Sequence, residues 1–252
     1  YTFDSWSPNI HPVEGDDVYT AVFSKTVNQY TVTFKNHDGS VLQSTSVAYG
    51  ETPVYTGIAP TKPATDQYTY TFSGWDKEIA AVTGDVVYTA QYDATVNKYT
   101  ITFNNWDGTT LATYEVEYGQ TPVYAGEVPT KAATAEHTYT FSGWTPAIVA
   151  VTGDATYTAT FSSDVNSYTI TLNAENGTVT GAGTYTYGTS ANITATPADC
   201  YHFVQWSDGD TNASRTIVVT GDITLTAIFE INTYTIKVES ADETQGTVSV
   251  TK

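Results

Sequence analysis

The feature that most limits what this chain can fold into is a period. Trp6, Trp75 and Trp144 are 69 residues apart, and the same step separates Gly15, Gly84 and Gly153, Asp16, Asp85 and Asp154, and Tyr30, Tyr99 and Tyr168. Residues 30–98 align with 99–167 without a gap, and more than half of the positions are identical. A fixed period of this size signals a tandem array, and it overrides the prior of one large domain that the length would otherwise suggest. Each unit is near the lower limit for a self-sufficient core.

Composition says what such units are made of. The chain is 40% hydrophobic with 20 Tyr and 5 Trp, enough apolar material for small cores. Thr and Tyr both favour strands. Net charge is −18, from 27 acidic against 9 basic residues, and it is spread along the chain as a solvated, self-repelling surface. With so few cations and no basic stripe, nucleic acid is not an expected partner. No apolar run reaches the roughly 20 residues of a membrane span. The single cysteine, Cys200, excludes an intrachain disulfide. A Cys-poor, Met-free, Thr-rich acidic array points to an exported bacterial surface protein.

One repeat reads as two hairpins. In "YTVTF", Tyr30, Val32 and Phe34 share one face and the threonines share the other. Asp38-Gly39 follows as a hairpin turn, repeated at Asp107-Gly108, with Gly177 of "AENGT" expected in the same role. A second strand ends at "YG", and then "GETPVYTGIAPTKPATDQ" reads as a proline-marked crossover. "YTYTFSGW" is the third strand, with Gly74 as a bulge that turns Trp75 inward. Gly84-Asp85 makes a tight turn into the fourth strand, and Gly153-Asp154 and Gly221-Asp222 recur there. Links of six residues, "DATVNK" and "SSDVNS", are too short for independent tumbling of neighbouring units. In residues 168–230 the crossover is shorter and the segment after Trp206 longer, which fits loop indels between fixed hairpins.

The pattern "YTVTFKNHDGSVL…VAYGETP…YTFSGW…VTGDVVYTAQY" resembles the InlB B-repeat, or Listeria–Bacteroides repeat, of bacterial surface proteins, and 168–230 resembles its divergent form. The resemblance implies small β-grasp-like modules strung between a ligand-binding head and a wall anchor, a surface location, and roles in adhesion or display. It implies no shared catalytic site. The expected fold is therefore mostly β: an elongated array of two-hairpin modules, each with a Pro-rich crossover. The expected divisions are 1–29 as the second half of a repeat, 30–98 and 99–167 as repeats, 168–233 as a divergent repeat, and 234–252 as the first half of another.

Most singled-out residues have a structural expectation. Phe34, Phe72, Trp75, Tyr88, Tyr92, Phe103, Phe141, Trp144, Tyr157, Phe161, Phe203, Trp206 and Phe229 are the expected core. Asp85, Asp154 and Asp222 are expected to hydrogen-bond turn amides. Trp106, beside a turn and replaced by His37 in the preceding copy, is the candidate for stacking on a sugar or a partner. "DGD", with Asp208 and Asp210, is the best local candidate for calcium, though the full spacing of a calcium loop is absent. Cys200 aligns with Thr138 on a polar strand face. The scattered histidines fit no metal spacing, no cofactor is implied, and no nucleophile, phosphate loop or paired-carboxylate pattern occurs.

The leading expectation is a spacer or stalk in a surface adhesin or fibre, not an enzyme. The alternatives are repeats that bind glycan or a host surface protein through Trp106 and His37, and a filament assembling head to tail through half-repeats at the termini. The half-units at 1–29 and 234–252 suggest an excerpt of a longer array, with Phe3, Trp6, Tyr19 and Phe23 less buried than Phe72, Trp75, Tyr88 and Tyr92.

Overall fold

The apolar–polar alternation is realised as strands throughout. The computed structural model describes residues 1–239, 241, 244 and 246, and among these it is all β, with no helix. A first hairpin pairs β1 (Thr2–Ser7) with β2 (Thr20–Ser24). The first full repeat contributes β3 (Gln29–Lys35), β4 (Val41–Ala48), β5 (Tyr68–Trp75) and β6 (Val86–Val96). Their order in the sheet is β4-β3-β6-β5. Each hairpin is antiparallel, and the two join through a parallel pairing of β3 and β6, with Val32 opposite Val86 and Phe34 opposite Tyr88. A parallel pair needs a long connection, and here it runs through β4, the crossover and β5, the crossover having no strand or helix of its own.

Gly74 has φ 138° at the register shift between Phe72 and Gly74. That bulge delivers Trp75 onto Phe34 (ring centroids 4.7 Å apart), Tyr55 (5.1 Å) and Phe72 (5.4 Å). Val32, Phe34, Val82 and Tyr88 are buried beneath them. Burying a side chain of the size of Phe34 contributes about 2–3 kcal/mol. The second repeat repeats the order as β8-β7-β10-β9, from β7 (Lys98–Asn104), β8 (Thr110–Glu117), β9 (His137–Thr145) and β10 (Ala155–Val165).

The divergent repeat departs from expectation. Its strands are β11 (Ser167–Ala174), β12 (Gly177–Thr180), β13 (Gly183–Thr186), β14 (Ser190–Pro197), β15 (Tyr201–Trp206), β16 (Ser214–Val218) and β17 (Ile223–Ile231). One sheet, β13-β11-β17-β15, keeps the four-strand plan, with β11 and β17 parallel. A second sheet, β12-β14-β16, takes β14 and β16 from the two segments that fit loop indels and β12 from the first hairpin. Those segments alternate too: Ala191, Ile193 and Ala195 point into the core with Val219, while Asn192 and Thr216 hydrogen-bond outside it. Trp206, Ile170, Ile193, Val219 and Leu225 close a single core between the sheets.

The core prediction needs correction in weight. Phe34, Phe103, Trp206, Tyr88 and Tyr157 are buried, whereas Phe72, Trp75, Tyr92, Phe141, Trp144, Phe161, Phe203 and Phe229 are half-buried. The deepest layer is largely aliphatic, with Val32, Ile101, Ile170, Ile193 and Val219 at 0–1% exposure. Phe3, Trp6 and Phe23 are exposed and Tyr19 is half-buried.

Turn chemistry also differs in part. Gly39 and Gly108 occupy the left-handed region at φ 84° and 87°, as their turns require. At "AENGT" it is Asn176 that does so, at φ 66°, while Gly177 leaves room for Phe229 and the Thr196 carbonyl. Gly84, Gly153 and Gly221 are not in the left-handed region. The six-residue links shrink to one residue each, because β6 runs to Val96 and β10 to Val165. No strand is formed over 232–239, and the rest of the hairpin expected over 234–252 lies largely outside the described residues.

The chain divides into two compact units. One contains Tyr1–Thr102, Ala112–Tyr124 and Ile148–Thr156, and the other Phe103–Leu111, Ala125–Ala147 and the chain from Tyr157 onward.

Candidate functional site

The recurrent aspartates do not cap their own turns. Asp85 Oδ1 accepts the backbone N–H of Thr31 at 2.7 Å, Asp154 Oδ1 that of Thr100 at 2.8 Å, and Asp222 Oδ1 that of Thr169 at 2.8 Å. Each bond joins the entry of the fourth principal strand to the first strand of the same repeat. In the first repeat the parallel ladder begins at Val32 and Val86, so the carboxylate takes the amide just outside it. The role is structural and is the same in all three repeats.

Trp106 sits in the turn after β7, which is pinned from within. Asn105 Oδ1 accepts the Trp106 amide at 3.0 Å, Asn105 Nδ2 donates to the Thr130 carbonyl at 3.1 Å, and Asp107 Oδ1 accepts the Thr109 amide at 3.0 Å. That amide holds the Asp107 carboxyl below its ordinary range. Trp106 is 49% exposed. Lys131 Nζ lies 4.7 Å from its ring centroid and 4.0 Å from that of Tyr139, so a cation sits between two aromatic rings.

The equivalent corner of the first repeat is built differently. His37 is exposed, and its ring meets Tyr92 edge-on at 5.6 Å. The Tyr92 hydroxyl donates to Asn36 Oδ1 at 2.6 Å, and burial, reinforced by the nearby Asp38 charge, raises its pKa. Lys62 Nζ lies 3.7 Å from the Tyr70 ring. A stacking face is thus presented by Trp106 and not reproduced at His37.

The acidic pair offered to calcium is bound by an arginine. Arg215 Nη1 meets Asp210 Oδ2 at 2.9 Å, and Nη2 meets Asp208 Oδ2. The guanidinium lowers the pKa of Asp208 chiefly through its hydrogen bond. For Asp210 the Asn212 amide lowers the pKa most, with Arg215 second. Trp206 Nε1 donates to the Asn212 carbonyl at 3.0 Å, so the loop is tied to the core from below. Among the described residues no group of three or more His, Cys, Asp or Glu side chains is placed to hold a metal ion. Cys200 is exposed and lies just before β15 at φ 68°, not on the polar strand face expected from its alignment with Thr138. No helix among the described residues is long and apolar enough to cross a membrane.

Beside Arg215, the sequence reading does not single out Asn97 and Asn166, the single residues between consecutive repeats. Their recurrence was visible in the alignment, but their partners are not local.

Comparison with known proteins gives two family matches. The Listeria–Bacteroides repeat domain matches residues 30–98 and 99–166, and the divergent InlB B-repeat domain matches 168–233. No curated protein matches. Among solved structures, Streptococcal High Identity Repeats in Tandem (SHIRT) domains 3-4 from a cell surface protein align with 19% identity and a TM-score of 0.28, over 54% of this chain and 99% of that one.

Proposed function

We propose, on the premise that the chain belongs to the Listeria–Bacteroides repeat family, with its third full repeat of the divergent InlB B-repeat type, that this segment is a spacer in a bacterial surface protein. Tandem repeats of these families are typical of such proteins. The observation that carries the reading is strand continuity. The last strand of a repeat passes through one residue into the first strand of the next, with no flexible linker. The reading assigns the segment an extracellular location, a mechanical role in displaying a binding part of the protein, and no catalytic role. Small-angle scattering of the 252-residue chain tests it. A cross-section of one repeat and a maximum dimension set by the number of repeats are expected, and the profile of a compact globule refutes it.

A second reading rests on Trp106 alone. A tryptophan 49% exposed and held in a pinned turn beside Lys131 offers a stacking face to a glycan or a host surface glycoprotein. Trp106→Ala then abolishes binding on a glycan array at unchanged melting temperature, and unaltered binding removes the site.

A further inference from the structure

The two joints between full repeats are made in the same way. Asn97 is the only residue between β6 and β7, and Asn166 the only one between β10 and β11. The Asn97 amide donates to the Gln67 carbonyl at 2.9 Å. Asn97 Nδ2 donates to the carbonyls of Thr65 at 2.8 Å and Asp66 at 3.0 Å, and Oδ1 accepts the Thr69 hydroxyl at 2.7 Å. Its own carbonyl accepts the Tyr118 amide at 2.9 Å. Two residues on, the Tyr99 hydroxyl reaches back to the Asp66 carbonyl at 2.6 Å.

Asn166 repeats every bond. Its amide donates to Glu136, its Nδ2 to Thr134 and Ala135, its Oδ1 accepts Thr138, and its carbonyl accepts the Tyr187 amide. The Tyr168 hydroxyl donates to the Ala135 carbonyl at 2.6 Å. Both amide hydrogens, both carbonyl oxygens and the backbone N–H of each asparagine are therefore used. Aspartate lacks the two donors, and glutamine is one methylene too long to keep the geometry.

The first joint links two ordinary repeats and the second links an ordinary repeat to the divergent one, yet the bonds are identical. The physical reason is that the side chain and the tyrosine read backbone carbonyls, which Thr65-Asp66 and Thr134-Ala135 present alike. At the end of the divergent repeat Asn232 donates its amide to the Cys200 carbonyl at 2.7 Å, and its Oδ1 lies 3.0 Å from His202 Nδ1, where the ordinary repeats use threonine. The four segments Val27-Asn28-Gln29-Tyr30, Val96-Asn97-Lys98-Tyr99, Val165-Asn166-Ser167-Tyr168 and Ile231-Asn232-Thr233-Tyr234 share one pattern.

We infer that Asn-x-Tyr is a joining code. The loop ahead of a repeat's third strand, with the asparagine it holds, is an interaction surface for another repeat, ordinary or divergent without distinction: the loop carbonyl takes the tyrosine of that repeat's first strand, and the asparagine carbonyl takes the amide of its Tyr-Gly turn. The code sets the orientation of consecutive repeats, so repeats of either type are interchangeable along an array. It stands independently of whether the array projects anything from a cell.

Paired spin labels test it in the full chain with Cys200→Ser. One pair, Glu78→Cys with Thr113→Cys, spans the first joint, and the other, Glu127→Cys with Glu175→Cys, spans the second. Asn97→Ala is expected to widen the first distance distribution, and Asn166→Ala the second, because a small interface that loses its bonds leaves relative motion as the default. Tyr99→Phe and Tyr168→Phe, which keep the ring and remove one bond, give smaller widening. Distributions that stay narrow in the alanine variants overturn the joining role. Widening at one joint only overturns independence of repeat type. If an alanine variant lowers the melting temperature of its own repeat, the phenylalanine pair decides, and narrow distributions there overturn the inference.

Discussion

Asp85 holds the backbone amide of Thr31 at 2.7 Å across 54 residues of chain. The bond fastens the start of β6 to β3 at the point where their ladder begins, between the two hairpins that make a repeat. It recurs from Asp154 to Thr100 and from Asp222 to Thr169.

Removing this acceptor leaves an amide without its partner at the mouth of the sheet. Asp85→Ala is expected to destabilise its repeat by about 1 kcal/mol, and Asp85→Asn, which retains an acceptor oxygen, by less. Thermal unfolding with amide hydrogen exchange at Thr31 reads both. Unchanged protection of Thr31 in the alanine variant contradicts the assignment.

The glycines separate by environment. A Cβ on Gly177 would lie 2.6 Å from both Phe229 Cζ and the Thr196 carbonyl oxygen, whereas one on Gly221 meets nothing within 4 Å. Gly177→Ala is expected to cost about 1–3 kcal/mol through overpacking. Gly221→Ala should stay within about 0.5 kcal/mol of the parent, like other surface changes. Denaturant titration of the two variants compares them directly.

The tryptophans behave as opposites. Trp206 is 0% exposed and its indole N–H is bonded to Asn212, so Trp206→Ala should cost about 3–5 kcal/mol. Trp106→Ala should leave stability within about 0.5 kcal/mol, because Trp106 is an exposed turn residue. Differential scanning calorimetry distinguishes these outcomes.

Acid titrates the arginine clasp. Asp208 and Asp210 have folded pKa values below their ordinary 3.8. A depressed carboxyl contributes stability above its unfolded pKa and loses it as pH falls through the folded value. The divergent repeat should therefore lose melting temperature as pH falls below the ordinary carboxylate value of 3.8. Arg215→Met should melt lower at neutral pH and show a shallower fall over that acid window. Parallel acid limbs in the two proteins would falsify the clasp.

What the sequence made legible was local. Alternation placed Val32 and Phe34 on one face, and Gly74 announced the bulge that turns Trp75 inward. The parallel pairing of β3 with β6 was not legible, because a period shows that two hairpins recur but not how they lie together. The role of Asp85 is hidden for the same reason: a turn aspartate suggests its own amides, and its partner is 54 residues away. The sequence does not separate Gly177 from Asn176 as the left-handed residue, because either type tolerates that conformation, and it is Asn176 that adopts it. The second sheet of the divergent repeat is hidden in the sequence because β14 and β16 lie in the segments that change length, which is the usual mark of loops. At the candidate site, Trp106 was recognisable as a turn aromatic. Arg215 was overlooked as the partner of Asp208 and Asp210, since a local acidic run suggests a cation from solution before it suggests one from the next strand.

The parallel pairing of β3 and β6 has a consequence for a chain under tension. The pull enters a repeat at the start of β3 and leaves at the end of β6, and these strands are neighbours pointing the same way. Opposed forces on them slide one strand along the other. The bonds linking Val32–Lys35 to Val86–Thr89 are then strained together and must break in concert, not one after another as in a zipper. The divergent repeat has the same geometry, from Ile170 opposite Ile223 to Ala174 opposite Ala227. Rupture under load is therefore resisted by the centre of each sheet, while the edge strands β4 and β5 lie outside the line of force.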